Sequence, residues 1–337
     1  VTVVTKQAKF IVFIILSLLI VFMSACSEKD GSGYLFRYSL LGNPKNLDPQ
    51  LATDTSSLVV IQNMYCGLLR TTGNGKLTEG AAKKYTISPD YLKYTFDLRE
   101  DLYWKNADSD FKEQVTANDF VFSFKRIFEK NTKSPYAESF SCIKNAGKII
   151  TGELGADSIG VTAKGDFELE IDLDYPNANF LSLMTTSAAM PCNEEFFNNS
   201  KGKYGLETDS TISDGAFYLK EWEYDPYGQN NYIIMRPNKY FSEFSKIYPS
   251  SLNFFIEKDS KKIAADFKSN STDFIVTDEA EKNLFASGYT INGYETTSCG
   301  LIYNTKSEIF SNLNLRQALS LAIDRSEYEG KLSNGAR

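Results

Sequence analysis

The chain opens with a long apolar run, and its pattern changes sharply afterwards. Residues 10–23 run FIVFIILSLLIVFM, broken only by Ser17, and two lysines but no acid precede the run. A basic start, an apolar stretch of this length and small residues before a cleavage point are the layout of a secretory signal, and the run is short for a membrane-spanning helix. We therefore predict a signal peptide over residues 1–25.

Beyond residue 33, several segments alternate apolar and polar residues with the period of a strand. The segment YTFDLRE places Tyr94, Phe96 and Leu98 on one face, and a tight turn at 88–90 joins it to the strand before it. Further strands are predicted in segments 34–42, 167–175, 214–225, 230–241, 251–259 and 299–310.

Other segments have helical spacing. VTANDFVFSFKRIFE predicts a helix with Thr116 as its N-cap and Asp119 completing a capping box. A second helix is predicted over 57–70, capped by Ser56 or Ser57 and ending near Gly67. The helix capped by Thr116 has an apolar stripe formed by Phe120, Phe124, Ile127 and Phe128. The last helix of the chain has one formed by Leu315, Ala318, Leu319 and Ala322. Helices interleaved with strands indicate a mixed α/β fold.

Composition narrows the classes of function. The chain has 337 residues, of which 42% are hydrophobic and 23% charged, as in an ordinary globular protein with more than one core. The net charge of −7 disfavours a nucleic-acid partner. The sequence contains no histidine, which excludes Ser–His–Asp and Cys–His nucleophiles and removes the commonest zinc ligand. We therefore expect no catalytic residue, no metal site and no cofactor.

Cys26 lies where the apolar run ends and the polar segment SEKDGSG begins. The preceding Met-Ser-Ala resembles a bacterial lipobox, with Met23 where leucine is usual. That resemblance implies a diacylglycerol (palmitate-type) anchor on the sulfur, with residues 26–33 as a flexible tether. Cleavage would remove Lys6 and Lys9 and leave 34 basic and 43 acidic residues, a net charge of −9. Because an anionic membrane surface repels an acidic protein, the lipid rather than charge would hold it on the extracytoplasmic face of the cell membrane. The alternative is an uncleaved anchor helix with a free thiol.

Four further cysteines stand at long, irregular spacings: Cys66, Cys142, Cys192 and Cys299. Outside the cytoplasm they allow two disulfides in any of three connectivities. Buried free thiols are the other interpretation, and metal or redox chemistry is not expected.

Four stretches in order resemble the family 5 extracellular solute-binding proteins, which include the oligopeptide- and dipeptide-binding subunits of ABC importers. They lie at 43–70, 94–128, 213–241 and 301–328, and carry Leu-Asp-Pro, Thr-Ala-x-Asp-Phe, Gly-x-Phe/Tyr-x-Leu-x-x-Trp and Ala-Ile-Asp-Arg. The chain departs from the family pattern at Cys66, where glutamate is usual, and at Asp214, where asparagine is usual. Arg-Pro-Asn also interrupts the usual Arg-Asn.

The resemblance implies a type II periplasmic-binding-protein-like clamshell with interleaved lobes. Lobe I would comprise 34–52 and 191–298, lobe II 53–190, and 299–337 would begin a third lobe that is mostly missing. The chain would then be a truncated or partial product, since family members have roughly two hundred further residues. We expect a monomer that captures an oligopeptide between lobes and delivers it to permease subunits.

The resemblance also suggests site residues. A peptide would lie as an added strand along Gly42, Asn43, Pro44 and Lys45. The second candidate segment is Asp214, Gly215, Ala216 and Phe217, for which a structural turn is the favoured interpretation. The hinge candidates are Cys299, Gly300 and Asn304. Any disulfide partner of Cys299 implied by the family would lie beyond Arg337.

Other conspicuous residues receive no ligand role. Arg316, Asp324 and Arg325 are expected to form local surface pairs, and Trp104 and Trp222 are expected in the core. Alternatives on the same fold are a sugar or nickel-complex binder and a peptide-pheromone receptor. A secreted hydrolase is a remote alternative, because the acids of FELEID fall on one solvated strand face and not in a spaced pair.

Overall fold

The computed structural model describes residues 33–107, 111–225, 231–276 and 301–324. The chain divides into two units, Val1–Phe274 and Ile275–Arg337. The predicted signal peptide, Cys26 and nearly all of the tether lie outside the described residues, as do Cys299 and Gly300. None of the helices in the described ranges has the length and apolar composition that crossing a membrane requires.

The elements follow one another along the chain as strands with helices between them. The strands are β1 (Leu35–Leu40), β2 (Leu69–Thr71), β3 (Leu77–Glu79), β4 (Ala82–Ile87), β5 (Lys93–Leu98), β6 (Tyr103–Trp104), β7 (Glu113–Gln114), β8 (Val161–Gly165), β9 (Glu168–Asp172), β10 (Phe217–Glu223), β11 (Tyr232–Pro237) and β12 (Ser251–Ile256). The α-helices are α1 (Thr55–Met64), α2 (Ala117–Phe128), α3 (Ala146–Ile150), α4 (Phe180–Leu183), α5 (Glu194–Asn199), α6 (Ser260–Lys268), α7 (Glu308–Ser311) and α8 (Leu313–Ala322).

One four-stranded sheet in the first unit has the order β1-β12-β11-β10. β1 runs parallel to β12, and β11 is antiparallel to both of its neighbours. Alternate residues of β11 and β12, Ile233, Met235, Leu252 and Phe254, are buried, as the period of a strand requires. Beside β1, Tyr38 makes a parallel bridge to Phe274, just before the boundary between the units.

The second four-stranded sheet has the order β4-β5-β9-β8 and is antiparallel throughout. The predicted alternation of β5 is confirmed, because Tyr94, Phe96 and Leu98 are all buried. Helix α2 packs on this sheet through β8 and β9. Its predicted apolar stripe is buried and its capping box is present, with the Thr116 N–H donating to the Asp119 carboxylate at 2.7 Å.

The helix predicted over 57–70 is wrong at both ends. Helix α1 spans Thr55–Met64 and its N-cap is Asp54, whose carboxylate accepts the Ser57 N–H at 2.9 Å. The chain becomes extended at Tyr65, and Leu69 begins a strand. The backbone carbonyls of Gly67 and Leu68 accept hydrogen bonds from Ala81 and Ala82, so the apolar run Cys66–Leu69 joins β-structure although its composition also suits a helix.

The second unit contains α7 and α8 within its described residues. The strand predicted over 299–310 is wrong for all of its described residues: 301–307 are irregular chain and a turn, and 308–310 belong to α7. The Arg316 guanidinium donates to the carbonyls of Phe310 at 2.7 Å and Ser311 at 3.0 Å, and so satisfies carbonyls at the end of α7. None of the four apolar stripe residues of α8 is buried.

Three cysteines in the described part of the first unit are separate thiols. Cys66, Cys142 and Cys192 are free and buried, so no disulfide joins any two of these three. Burial raises the pKa of the Cys66 and Cys192 thiols to about 12, which leaves both thiols protonated and unreactive at neutral pH. The interpretation of these residues as buried thiols is confirmed.

Candidate functional site

The first candidate segment, Gly42–Lys45, follows β1 as irregular chain. Among the described residues, the backbone N–H groups of Gly42 and Asn43 have no hydrogen-bond partner. Pro44 has no N–H, and its carbonyl accepts the Asn43 side-chain amide at 2.9 Å. The Lys45 N–H donates to the Ser57 hydroxyl at 3.1 Å. Two backbone donors at one end of this anchored segment therefore have no partner in the described part of the protein.

Trp222 holds this segment from β10. Its indole Nε1–H donates to the Asn43 side-chain oxygen at 3.2 Å, while its own backbone N–H donates to the Thr208 hydroxyl at 3.1 Å. The indole is only partly buried and packs against the core. Trp104, by contrast, is fully buried. The two tryptophans thus occupy different environments, and Trp222 directly contacts a candidate ligand residue.

The second candidate segment, Asp214–Phe217, packs against the C-terminal end of α1. The Gly215 N–H donates to the Met64 carbonyl at 2.7 Å. A Cβ added at Gly215 would lie 2.7 Å from the Met64 carbonyl carbon, so only glycine permits this approach. The carbonyls of Gly215 and Ala216 accept hydrogen bonds from Asn238. These contacts give the segment a structural task, and a ligand role for it stays a prediction.

Asp214 is completely buried. Its Oδ1 accepts the Cys66 N–H at 3.0 Å, whereas its Oδ2 has no partner among the described residues. Burial raises the pKa of Asp214 well above the usual aspartate value, which favours the neutral acid. The two residues that depart from the family pattern, Cys66 and Asp214, therefore contact each other.

Helix α1 separates the two candidate segments. Gly42–Lys45 is held by Ser57 in its first turn, and Gly215 is held by Met64 in its last turn. A helix of ten residues is about 15 Å long. The two segments thus lie at opposite ends of one helix, and direct contact with both would require a ligand of several residues in extended form.

A buried ion pair lies near the first segment, and the sequence does not predict it. Arg126 Nη2 lies 2.5 Å from Asp48 Oδ2, and Nη1 donates to Gln50 Oε1 at 2.7 Å. Both charged side chains are nearly inaccessible, at 2% and 3% exposure. Arg126 projects from α2, and Asp48 belongs to the Leu-Asp-Pro motif. In the sequence, both residues lie in stretches that resemble the family, but nothing in their spacing predicts that they form a pair.

The hinge candidate Asn304 lies in a local turn of the second unit. Its carbonyl accepts the Ser307 N–H at 3.0 Å and its side-chain oxygen accepts the Lys306 N–H at 3.1 Å. Its hinge role stays a prediction.

Two of the three strand acids considered for a hydrolase, Glu170 and Asp172, have cationic partners. Lys93 Nζ lies 2.7 Å from Glu170 and 3.3 Å from Asp172, and Lys164 lies 3.0 Å from Glu170. The hydrogen bond from Lys93 lowers the pKa of Glu170. A general acid needs the opposite shift. Within the described ranges, no group of three or more acidic or cysteine side chains is placed to hold a metal ion.

Replacing Ser57 by alanine should loosen the first segment. The Ser57 hydroxyl is buried, accepts the Lys45 N–H and donates to Asp54 at 2.6 Å, so its loss removes two part-buried hydrogen bonds. We expect the free energy of unfolding to fall by about 0.5–1.5 kcal/mol, with faster hydrogen exchange of the Lys45 amide. Urea unfolding and exchange NMR measure both, with Ser56→Ala as control. Unchanged exchange at Lys45 would contradict the assignment.

The comparisons with known proteins agree with this architecture. The profile of the bacterial extracellular solute-binding proteins, family 5 Middle, matches residues 76–337. The chain belongs to this family, and its mixed α/β fold is that of the peptide-binding proteins among its structural neighbours. A dipeptide-binding protein of Lactococcus lactis subsp. cremoris is 28% identical over 336 residues, covering 96% of this chain and 60% of the relative.

Two solved structures illustrate the similarity. Listeria monocytogenes OppA bound to peptide superimposes with a TM-score of 0.72 and 25% identity, covering 88% of this chain and 58% of that one. The pheromone receptor PrgZ has a TM-score of 0.74 and 25% identity, covering 90% and 59%. The chain thus spans about three fifths of the length of the proteins it matches.

Proposed function

We propose that this chain belongs to the substrate-binding protein of an ABC importer that captures oligopeptides outside the cytoplasm. The observation that carries the proposal is the pair of available backbone donors at Gly42 and Asn43 on a segment pinned by Trp222 and Ser57. Backbone donors bind any peptide main chain with little dependence on side chains. Capture needs no chemical step, so the protein would act without turnover and pass its ligand to permease subunits.

Family membership and the named relatives support a peptide ligand. The Lactococcus relative is a dipeptide-binding protein, and the Listeria structure holds a peptide. The pairing of Glu170 and Asp172 with lysines weighs against hydrolysis at that strand face. The lobe boundaries, the hinge at Cys299, Gly300 and Asn304, and a monomeric state stay parts of the proposal.

The peptide proposal is tested at Gly42. A Cβ added there would come no closer than 4.0 Å to its nearest neighbour, the Ser56 hydroxyl, so Gly42→Ala fits the fold. A peptide strand on the Gly42 N–H would meet the new methyl group, and we expect its dissociation constant to rise about tenfold, or about 1.4 kcal/mol. Isothermal titration with mixed oligopeptides measures this in the protein translated from the complete reading frame.

The matched control for that experiment is Gly147→Ala. A Cβ at Gly147, in α3, also meets no atom within 4 Å, so the same chemical change is made away from the candidate segment. Equal peptide affinity for both variants would remove Gly42 from the site. Failure of the unchanged protein to bind any peptide would overturn the proposed function.

Lipid anchoring at Cys26 is tested separately. Thioether formation needs the thiol, so Cys26→Ser is expected to abolish the incorporation of labelled fatty acid into the protein in producing cells. Ser27→Ala, next to it, leaves the thiol in place and is the control. Absence of label from the unchanged protein as well would instead indicate an uncleaved anchor helix with a free thiol.

A further inference from the structure

The buried Arg126 joins three parts of the first unit. Its Nη1 and Nη2 contact Asp48 at 3.3 and 2.5 Å, and Nη1 also contacts the Cys192 sulfur at 3.2 Å. Its guanidinium lies over the Phe197 ring, 4.0 Å from the centroid. The Arg126 guanidinium therefore links helix α2 to the segment around Asp48 and to the chain from Cys192 to Phe197.

Asp48 also holds the residues that follow it in sequence. Its Oδ1 accepts the Gln50 N–H at 3.0 Å, and its carbonyl accepts the N–H groups of Leu51 and Ala52. The Gln50 side chain donates to the carbonyls of Ala188 and Met190. The turn at 48–52 is thus fixed through both its backbone and its side chains.

Leu47 connects Asp48 to the candidate segment Gly42–Lys45. Its N–H donates to the Gly205 carbonyl at 2.7 Å, and Gly205 has a φ of +73°. A Cβ at Gly205 would lie 2.5 Å from the Asp48 nitrogen, so the two chains are in direct contact. Only Asn46 separates Leu47 from Lys45, the end of the candidate segment that carries the unpaired Gly42 and Asn43 donors.

We propose that Arg126 is a positioning residue for ligand capture, which it serves by holding, through Asp48, the chain that carries Gly42–Lys45. This inference rests on the proposed function. A ligand that pairs with main-chain groups needs those groups fixed before it arrives, because ordering them during binding reduces the affinity. A planar guanidinium makes two parallel hydrogen bonds to one carboxylate, a geometry that lysine cannot reproduce.

The test uses the double variant Asp48→Leu/Arg126→Met in the protein translated from the complete reading frame. It removes both charges together, so no unpaired buried charge remains and the fold is retained. We expect the dissociation constant for peptides to rise by about tenfold or more, an energy of at least about 1.4 kcal/mol. We also expect faster hydrogen exchange at the Lys45 and Leu47 amides, whose acceptors Ser57 and Gly205 are unchanged. The control is Glu79→Leu/Arg99→Met, which removes a partly exposed ion pair of 2.8 Å.

The outcomes separate the two proposals. If the unchanged protein binds peptide and the double variant binds it equally well, the positioning role is refuted and the proposed function stands. Weaker binding without faster exchange at Lys45 and Leu47 also refutes the positioning role, because the loss then has another cause. If the unchanged protein binds no peptide, the proposed function fails and this inference fails with it.

Discussion

Replacing Asp48 by leucine alone is expected to lower the free energy of unfolding by about 3–5 kcal/mol, the usual result of leaving a buried charge without its partner. Arg126 would keep its positive charge at 2% exposure, with the amide oxygen of Gln50 and the Cys192 sulfur as its remaining polar contacts. Urea unfolding followed by circular dichroism measures the change. Arg126→Met should have an effect of similar size.

The double variant Asp48→Leu/Arg126→Met should regain most of that loss, because two apolar side chains replace the pair without a buried charge. The partly exposed pair of Glu79 and Arg99 is the control, and its removal should change the free energy of unfolding by about 1 kcal/mol or less. Additive losses in the Asp48 and Arg126 variants would show that the two side chains act independently, contrary to the structure.

The sequence predicts the apolar side of α2 but not its polar side. Asp119, Ser123 and Arg126 follow one another at i, i+4 and i+7 and form a stripe beside the phenylalanines. A stripe with two charges normally faces solvent, yet all three residues are buried. Arg126 can be buried because Asp48, 78 residues away in sequence, supplies its carboxylate partner. Only the tertiary fold brings these two side chains together.

The strands are more predictable than the ends of the helices. β5 and β11 show period-two burial because one face of each packs on a core, and the sequence of β5 shows the matching alternation of apolar and polar residues. The end of α1 at Met64 depends instead on hydrogen bonds from Ala81 and Ala82, more than ten residues further along. Local composition does not contain that information.

The candidate site is likewise predictable only in its local parts and not in its long-range contacts. The resemblance supplies the segment Gly42–Lys45, but its anchors Ser57 and Trp222 contact residues 12 and 179 positions away in sequence. The sequence suggests Ser57 as a helix cap, whereas its hydroxyl supports the Lys45 N–H. The sequence suggests Trp222 as a core residue, and its indole also holds Asn43. The motifs of the family thus mark places where distant segments join, which explains why their residue types are informative before any contact is known.

Asparagine in place of Asp214 should make the protein more stable at pH 8 than the aspartate that is present. Burial raises the pKa of Asp214 well above that of an unfolded chain, and burial also raises the pKa of neighbouring Asp119 to about 7. The folded state therefore holds protons that the unfolded state releases. The stability that Asp214 contributes is complete below about pH 4 and is lost as the pH rises through its folded-state pKa.

The amide of the Asp214→Asn variant does not titrate, yet its oxygen can still accept the Cys66 N–H that Asp214 accepts at 3.0 Å. We expect Asp214→Asn to raise the free energy of unfolding at pH 8 by about 1–3 kcal/mol and to leave it nearly unchanged at pH 4. Urea unfolding at several pH values measures the difference, with the exposed Asp209→Asn as control. Asp119 keeps its own titration near pH 7 in both proteins, so a residual slope there is expected. An advantage that stays constant from pH 4 to pH 8 would mean that Asp214 is ionised throughout, and the buried carboxyl would then need a cationic partner that the described residues do not supply.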